Sequence, residues 1–270
     1  MKNNFLFILL IMLTHGVCAQ QNDTSLIRLN RVATIEKFQF VHAFEANKDT
    51  CLLEFTKFDK DAQILFHSVD LHCIGWNNIE EKWYSYSNNR LDSFEIRRDN
   101  LPFAKSIFKY QNSADPQTTI TYFTQEMDTL MSYNTFYRDD HNRLDSTVAL
   151  RINNHGNKNI LRTIYRYDVN NYLVQQISSD QKGEPLDMIS YERLEDGKMK
   201  SIAFTTYGEK PSFKQVYYSY DQKGRIASTL DTQNRKQLYF YMKNGLLNNV
   251  LTYNGNGALE VEFLYNYSFH

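Results

Sequence analysis

The chain is poor in residues that interrupt or staple a fold. Four prolines and ten glycines in 270 residues leave long stretches free to pair as strands, and exclude collagen-like or low-complexity sequence. Three cysteines, Cys18, Cys51 and Cys73, are too few for a dense disulfide framework or a four-cysteine zinc module. Charge of one sign is missing as well: 30 Lys and Arg stand against 31 Asp and Glu, interspersed, so no basic stripe marks a nucleic-acid binder. Catalytic signatures are absent too. There is no Gly-x-Ser-x-Gly elbow, no His-Glu-x-x-His, and no Walker-type or dinucleotide glycine loop, so neither an enzyme nor a cofactor is expected.

Long apolar runs are confined to one place. Phe5 to Leu13 is nine residues long, and a membrane-crossing helix needs about 20, so no transmembrane span is expected. Preceded by Lys2 and followed by the small residues Val17-Cys18-Ala19, this run reads as a signal peptide over residues 1–19, removed on export. His15-Gly16-Val17 before Cys18 depart from the pattern of a lipid-anchored cysteine, which favours cleavage after Ala19. Export makes a bond between Cys51 and Cys73, 22 residues apart, the disulfide candidate.

What is abundant is aromatic. Nineteen tyrosines and eighteen phenylalanines recur in a degenerate unit whose opening aromatics are Tyr84, Phe136, Tyr165, Tyr191, Tyr218 and Tyr239. The steps between them are 52, 29, 26, 27 and 21 residues. The step of 52 is two periods, with a worn copy around Phe108 to Tyr122, and an earlier copy lies at Phe58 to Ile64. A period in this range marks one supersecondary unit stacked many times.

Each unit alternates aromatics, breaks at a polar cluster such as Asp139-Asp140-His141-Asn142 or Asp221-Gln222-Lys223-Gly224, and resumes on an apolar residue. Asn, Asp and Gly tolerate the positive φ of tight turns, and Tyr, Phe, Ile and Val suit a pleated surface. The prediction is all-β: an antiparallel meander of seven or eight hairpins forming one curved, twisted sheet over residues 51–270. The return residues Leu91, Leu144, Leu173, Met199, Ile226 and Leu247 are expected to line its buried face together with the opening aromatics. Residues 20–50 are expected to cap the array, with a short helix within residues 22–37, started by Asp23-Thr24-Ser25.

Tyr218-Ser219-Tyr220-Asp221-Gln222-Lys223-Gly224-Arg225-Ile226, followed by Tyr239-Phe240-Tyr241, resembles the YD repeat of RHS-type proteins. Tyr165-Arg166-Tyr167-Asp168 keeps the first half without the glycine. The resemblance is loose over residues 55–265 and specific over 217–247. It implies a bacterial, exported or surface-displayed chain built of hairpins, in a short form without a toxin domain.

The site expectations are sparse. His67, Asp70, His72 and Cys73 mix metal-capable side chains, but a strand sends them to opposite faces, so they read as ordinary polar residues and no metal is expected. Asp59-Lys60-Asp61 and Asp139-Asp140 lie where turns already want Asp. The functional feature is an aromatic ladder, Tyr165, Tyr167, Tyr218, Tyr220, Tyr239 and Tyr241, expected on a partly tyrosine-rich outer face that binds a protein or glycan of the envelope. The expected role is a non-enzymatic binding or scaffold module, periplasmic, outer-membrane-associated or secreted. The rival is a small hydrolase of envelope polysaccharide using carboxylates carried on the sheet.

Overall fold

In the computed structural model, residues 24–42, 49–110, 116–123, 129–152 and 156–270 are described; residues 1–19, with Cys18, lie outside them. One α-helix, α1 (Thr24–Leu29), precedes a run of strands. The first seven are β1 (Val32–Val41), β2 (Asp49–Phe58), β3 (Ile64–Asp70), β4 (Ile79–Ser87), β5 (Arg90–Arg98), β6 (Leu101–Lys109) and β7 (Thr118–Phe123). Then come β8 (Thr129–Arg138), β9 (Leu144–Ile152), β10 (Lys158–Tyr167), β11 (Leu173–Ser179), β12 (Pro185–Arg193) and β13 (Met199–Thr206). The last are β14 (Ser212–Tyr220), β15 (Ile226–Asp231), β16 (Lys236–Tyr241), β17 (Leu247–Tyr253) and β18 (Leu259–Phe269). A 3-10 turn, Leu71–Ile74, sits between β3 and β4.

All eighteen strands belong to one antiparallel sheet, each paired with its neighbours in sequence. β1 pairs with β2 and also with β18, from Val32 opposite Phe269 to Val41 opposite Val261. The sheet therefore closes. The expected open, curved sheet is corrected to an up-and-down barrel of nine hairpins, and the physical reason lies in residues 32–41. These were expected to cap the array, partly as helix, yet Val32, Thr34 and Ile35 are β-branched, and Arg31 turns out of the helix at φ 52°. A strand with two free edges between two sheet ends pairs with both, which removes the edges altogether. Among the described residues of the predicted cap, α1 is the helix; its Ile27 is buried beside Phe58, Ala62 and Leu246.

Turn chemistry sets the register. At the turn after β14, the Asp221 carboxylate accepts from the N–H groups of Lys223 and Arg225, both at 2.9 Å, and Gly224 takes φ 78°. Without a glycine, the corresponding turns place Asn142 and Asn171 in the same left-handed region. A bulge follows in each case, for example between Ser219 and Tyr220, as expected of a three-residue hairpin loop whose last residue is left-handed. Proline stays where a ladder tolerates it: Pro185 opens β12, and Pro102 sits beside the Ile96/Arg97 bulge.

Closure sends alternate side chains inward and outward. Tyr217, Phe240, Leu230 and Trp83 are 43 to 46% exposed on one face, whereas on the other Tyr265 and Val250 are 1 and 2% exposed. The Tyr-x-Tyr face is therefore the inner wall. Its core, formed by Ile35, Phe58, Ile226, Tyr239, Leu247, Val250 and Tyr265, lies beneath α1.

Candidate functional site

The repeat's sequence signature resolves into a clamp between successive hairpins. The second tyrosine of the unit donates its hydroxyl proton to the carbonyl of the return residue one hairpin back: Tyr86 to Ile64, Tyr110 to Leu91, Tyr167 to Leu144, Tyr220 to Met199, Tyr241 to Ile226 and Tyr267 to Leu247, at 2.7 to 3.0 Å. The cation just before the return residue lies over the same ring. Arg225 sits 4.2 Å from the Tyr241 centroid, Arg143 4.7 Å from Tyr167, and Lys198 5.6 Å from Tyr220. Arg225 and Arg143 are held in turn by Asp221 and Asp139 through Nε at 2.8 and 2.7 Å. Asp, Arg, the return residue and the next tyrosine thus form one unit of contact, with about 1 kcal/mol for the hydrogen bond and about 0.5–1 for the cation over the ring.

The first tyrosine of each unit packs instead. Tyr165, Tyr191, Tyr218, Tyr239 and Tyr265 form a continuous inner row, each close enough to the next to influence its ionisation. Burial pushes the Tyr191 and Tyr239 phenols up to about 12 and those of Tyr218 and Tyr265 higher. The candidate ladder, Tyr165, Tyr167, Tyr218, Tyr220, Tyr239 and Tyr241, lines the inner wall, where the opening aromatics Tyr165, Tyr218 and Tyr239 were expected to pack, with Tyr239 buried and the rest half-buried. In Tyr167, Tyr220 and Tyr241 the hydroxyls are already engaged as pegs.

Sequence reading missed a charged patch where the tyrosine row meets β1. Lys37 stands opposite Tyr265 on one side and Glu54 on the other. Its side chain is 1% exposed, with Nζ 2.7 Å from Glu54 Oε1 and 4.6 Å from the Phe263 ring. Next in register, Thr56 Oγ1 is 2.9 Å from His67 Nδ1. Burial lowers the His67 pKa; Glu54 and Glu80 oppose that shift, while Lys82 and Lys37 add to it, so the ring is neutral at neutral pH. The Tyr265 hydroxyl and Gln39 Oε1 are buried without a hydrogen-bond partner. The available signal was Ile35, Lys37, Gln39 and Val41 alternating with Phe38 and Phe40, a strand pattern in which the polar residues face inward.

Inner-wall carboxylates are mostly committed to cations. Besides Glu54, Asp231 lies 3.2 Å from Lys214 and 3.0 Å from Arg235; burial opposes its charge, but the Arg235 N–H and these cations outweigh it and hold the pKa below the usual range. Asp187 differs. Burial raises its pKa against Ser178 and Arg151.

The residues of the polar cluster divide. His67 belongs to the inner patch, while Asp70, His72 and Cys73 gather at the 3-10 turn, where Cys73 is disulfide-bonded to Cys51 with Cα atoms 5.7 Å apart. Asp70 caps that turn, accepting from the His72 N–H at 2.9 Å and lying 2.7 Å from His72 Nδ1.

Outside, apolar side chains meet in direct register across five strands: Ile107 opposite Ile120, Ile120 opposite Tyr133, Tyr133 opposite Leu150, and Leu150 opposite Ile160. Tyr133 is 37% and Ile160 41% exposed, while Ile120 between its neighbours is buried, at 7%. Charges occupy the outer face of β4 to β6, with Glu81 opposite Arg97 and Glu95 opposite Lys105.

No protein-family model matches the chain, and no curated protein matches it in sequence. Among solved structures it is similar to a porin-like protein from Bacteroides uniformis, at 8% identity and a TM-score of 0.47 over 88% of this chain and 98% of that one. A porin-like protein from Bacteroides vulgatus matches at 10% identity and a TM-score of 0.39, over 71% and 99%. The TcdB2-TccC3-TEV structure matches at 12% and 0.40 over 79% of this chain, which spans only 13% of that chain's length. With TM-scores below 0.5, none of these likenesses carries over an activity or a compartment.

Proposed function

We propose that this chain is an exported YD-repeat barrel of a bacterial envelope that stands in water and acts as a non-enzymatic scaffold, docking a protein partner on its outer wall. The observation that carries this reading is the outer apolar row from Ile107 through Ile120, Tyr133 and Leu150 to Ile160. Four aliphatic side chains around a single tyrosine suit another protein's apolar surface better than a sugar, which stacks on aromatic faces. Water rather than lipid is favoured by Glu81, Arg97, Glu95 and Lys105 within the outer face of β4 to β6, since a lipid-facing band is apolar and an Arg or Lys at its midplane costs roughly 2–4 kcal/mol. Among the described residues, no helix is long and apolar enough to cross a membrane.

Crosslinking in intact envelopes, comparing the native chain with a Tyr133→Asp/Ile160→Asp double variant, tests this. Both residues are outward, so circular dichroism should be unchanged while a crosslinked protein species is lost. An unchanged crosslinking pattern removes this face as the docking surface. The hydrolase reading needs two inward carboxyls free to act as acid and base, and Glu54 and Asp231 are ion-paired. Release of reducing ends from envelope polysaccharide by the purified chain would restore it.

A further inference from the structure

Cys51 Sγ, Cys73 Sγ and a carboxylate oxygen of Asp70 lie within 4.8 Å of one another, all on half-buried residues. In the structure the sulfurs are bonded to each other. Parted, they are two soft donors beside a carboxylate whose orientation is already fixed: Asp70 Oδ1 accepts from the His72 backbone N–H at 2.9 Å and is 2.7 Å from its ring Nδ1. That leaves Oδ2 for a metal, with His72 in the orienting role that second-shell groups play around zinc. Zinc between two thiolates at about 2.3 Å holds the sulfurs roughly 3.8 Å apart, a separation within reach of side-chain rotation.

We propose that the Cys51–Cys73 disulfide is the closed form of a redox-gated zinc site, which on reduction holds one Zn²⁺ through Cys51, Cys73 and Asp70, with water in the fourth position. The chemistry balances with a dithiol as reductant. Thiol–disulfide exchange breaks the Sγ–Sγ bond, the dithiol takes up the disulfide, and its two protons pass to the cysteines. Zinc then displaces those two protons as both thiolates bind. His72 is exposed, with 52% of its side chain open to solvent, so a metal can reach this turn from solvent. The site depends on neither the outer-wall docking reading nor export.

The test uses the purified chain, oxidised or reduced with a phosphine that does not compete for metal, then equilibrated with zinc and gel-filtered. One zinc per chain is expected in the reduced protein and none in the oxidised protein. Asp70→Ala should weaken zinc binding by at least about tenfold, and His72→Ala by about tenfold. Cobalt(II) substituted into the reduced native chain should give thiolate-to-metal charge-transfer absorption, a readout that requires no variant to fold. No bound zinc after reduction, no thiolate band with cobalt, or an Asp70→Ala affinity equal to native would each overturn the proposal.

Discussion

The wall made by β8 to β18 and the wall made by β1 to β5 solve the same closure problem with different chemistry. In the first, the row Tyr165, Tyr191, Tyr218, Tyr239 and Tyr265 fills the inner face. In the second, the corresponding space holds Lys37 with Glu54, His67 with Thr56, and Lys82 near Glu80, and of the tyrosine row it keeps Tyr84, packed on Phe94. The tyrosine peg persists on both sides, as Tyr86 and Tyr110 show. The pegged contact between hairpins is therefore the durable part of the repeat, and the packing residue is where units diverge. The divergence is greatest at β1, the one strand that must fit both ends of the array.

If the charged wall depends on its ion pair, Lys37→Ala should have the largest effect, because it leaves Glu54 without its buried cation; a loss of about 3–5 kcal/mol is expected in urea unfolding. Lys37→Met with Glu54→Leu should recover most of it. A Lys37→Ala cost below 1 kcal/mol would mean the two walls do not differ in kind. Second, Asp231→Ala removes the acceptor shared by Lys214, Arg235 and the Gln233 N–H and should cost about 2 kcal/mol.

A smaller effect separates the two tyrosines of a unit. Tyr267→Phe deletes the hydrogen bond to the Leu247 carbonyl and should cost about 1 kcal/mol. Tyr265→Phe deletes a buried hydroxyl that has no partner and should be neutral or stabilising by up to about 1 kcal/mol. Equal costs would undo the distinction between peg and packing residue.

The regular wall was the legible one. Alternation and Asn, Asp or Gly turns placed its hairpins, and the Tyr-Asp-Gly-Arg-Ile string around 220–226 carries the clamp almost whole, because its Asp, Arg and Tyr side chains each make one of the clamp's contacts. Closure was not legible. It depends on β1 meeting β18, more than 200 residues later in the chain, and nothing local in Val32 to Val41 records that pairing. The inward direction of the tyrosines was only partly legible: the opening aromatics were expected on the packed face, but units such as Tyr217-Tyr218 and Tyr239-Phe240-Tyr241 put rings on both faces, and closure decides which face is crowded. Lys37 and His67 were unreadable as wall residues because a lone charged side chain ordinarily marks the solvent side.

The weakest effect divides the walls by pH. His67 has a folded pKa lowered chiefly by burial, so the unfolded chain binds the extra proton and the contribution of this group falls as pH drops below about 6.5. Asp139, Asp196 and Asp221 also have lowered folded pKa values: at Asp139 burial opposes the shift but the Arg143 N–H outweighs it, at Asp196 the Lys198 ammonium leads, and at Asp221 the Arg225 N–H leads. Their contribution is complete above about 4 and is lost only below it. The inner tyrosines run the other way, with folded pKa values raised by burial, so their contribution holds below about 10 and is lost as pH rises past it. Pulsed hydrogen exchange after equilibration at pH 5 should therefore find β2 to β4 loosened while β14 to β18 stay protected, and at pH 11 β14 to β18, with Tyr218, Tyr239, Tyr265 and Tyr267, should loosen more than β2 to β4, where burial raises Tyr84 and Tyr86. His67→Gln should abolish the loosening at pH 5 and leave the alkaline one untouched; equal exchange in both walls at pH 5 would show that the charged wall is no more acid-sensitive than the tyrosine wall.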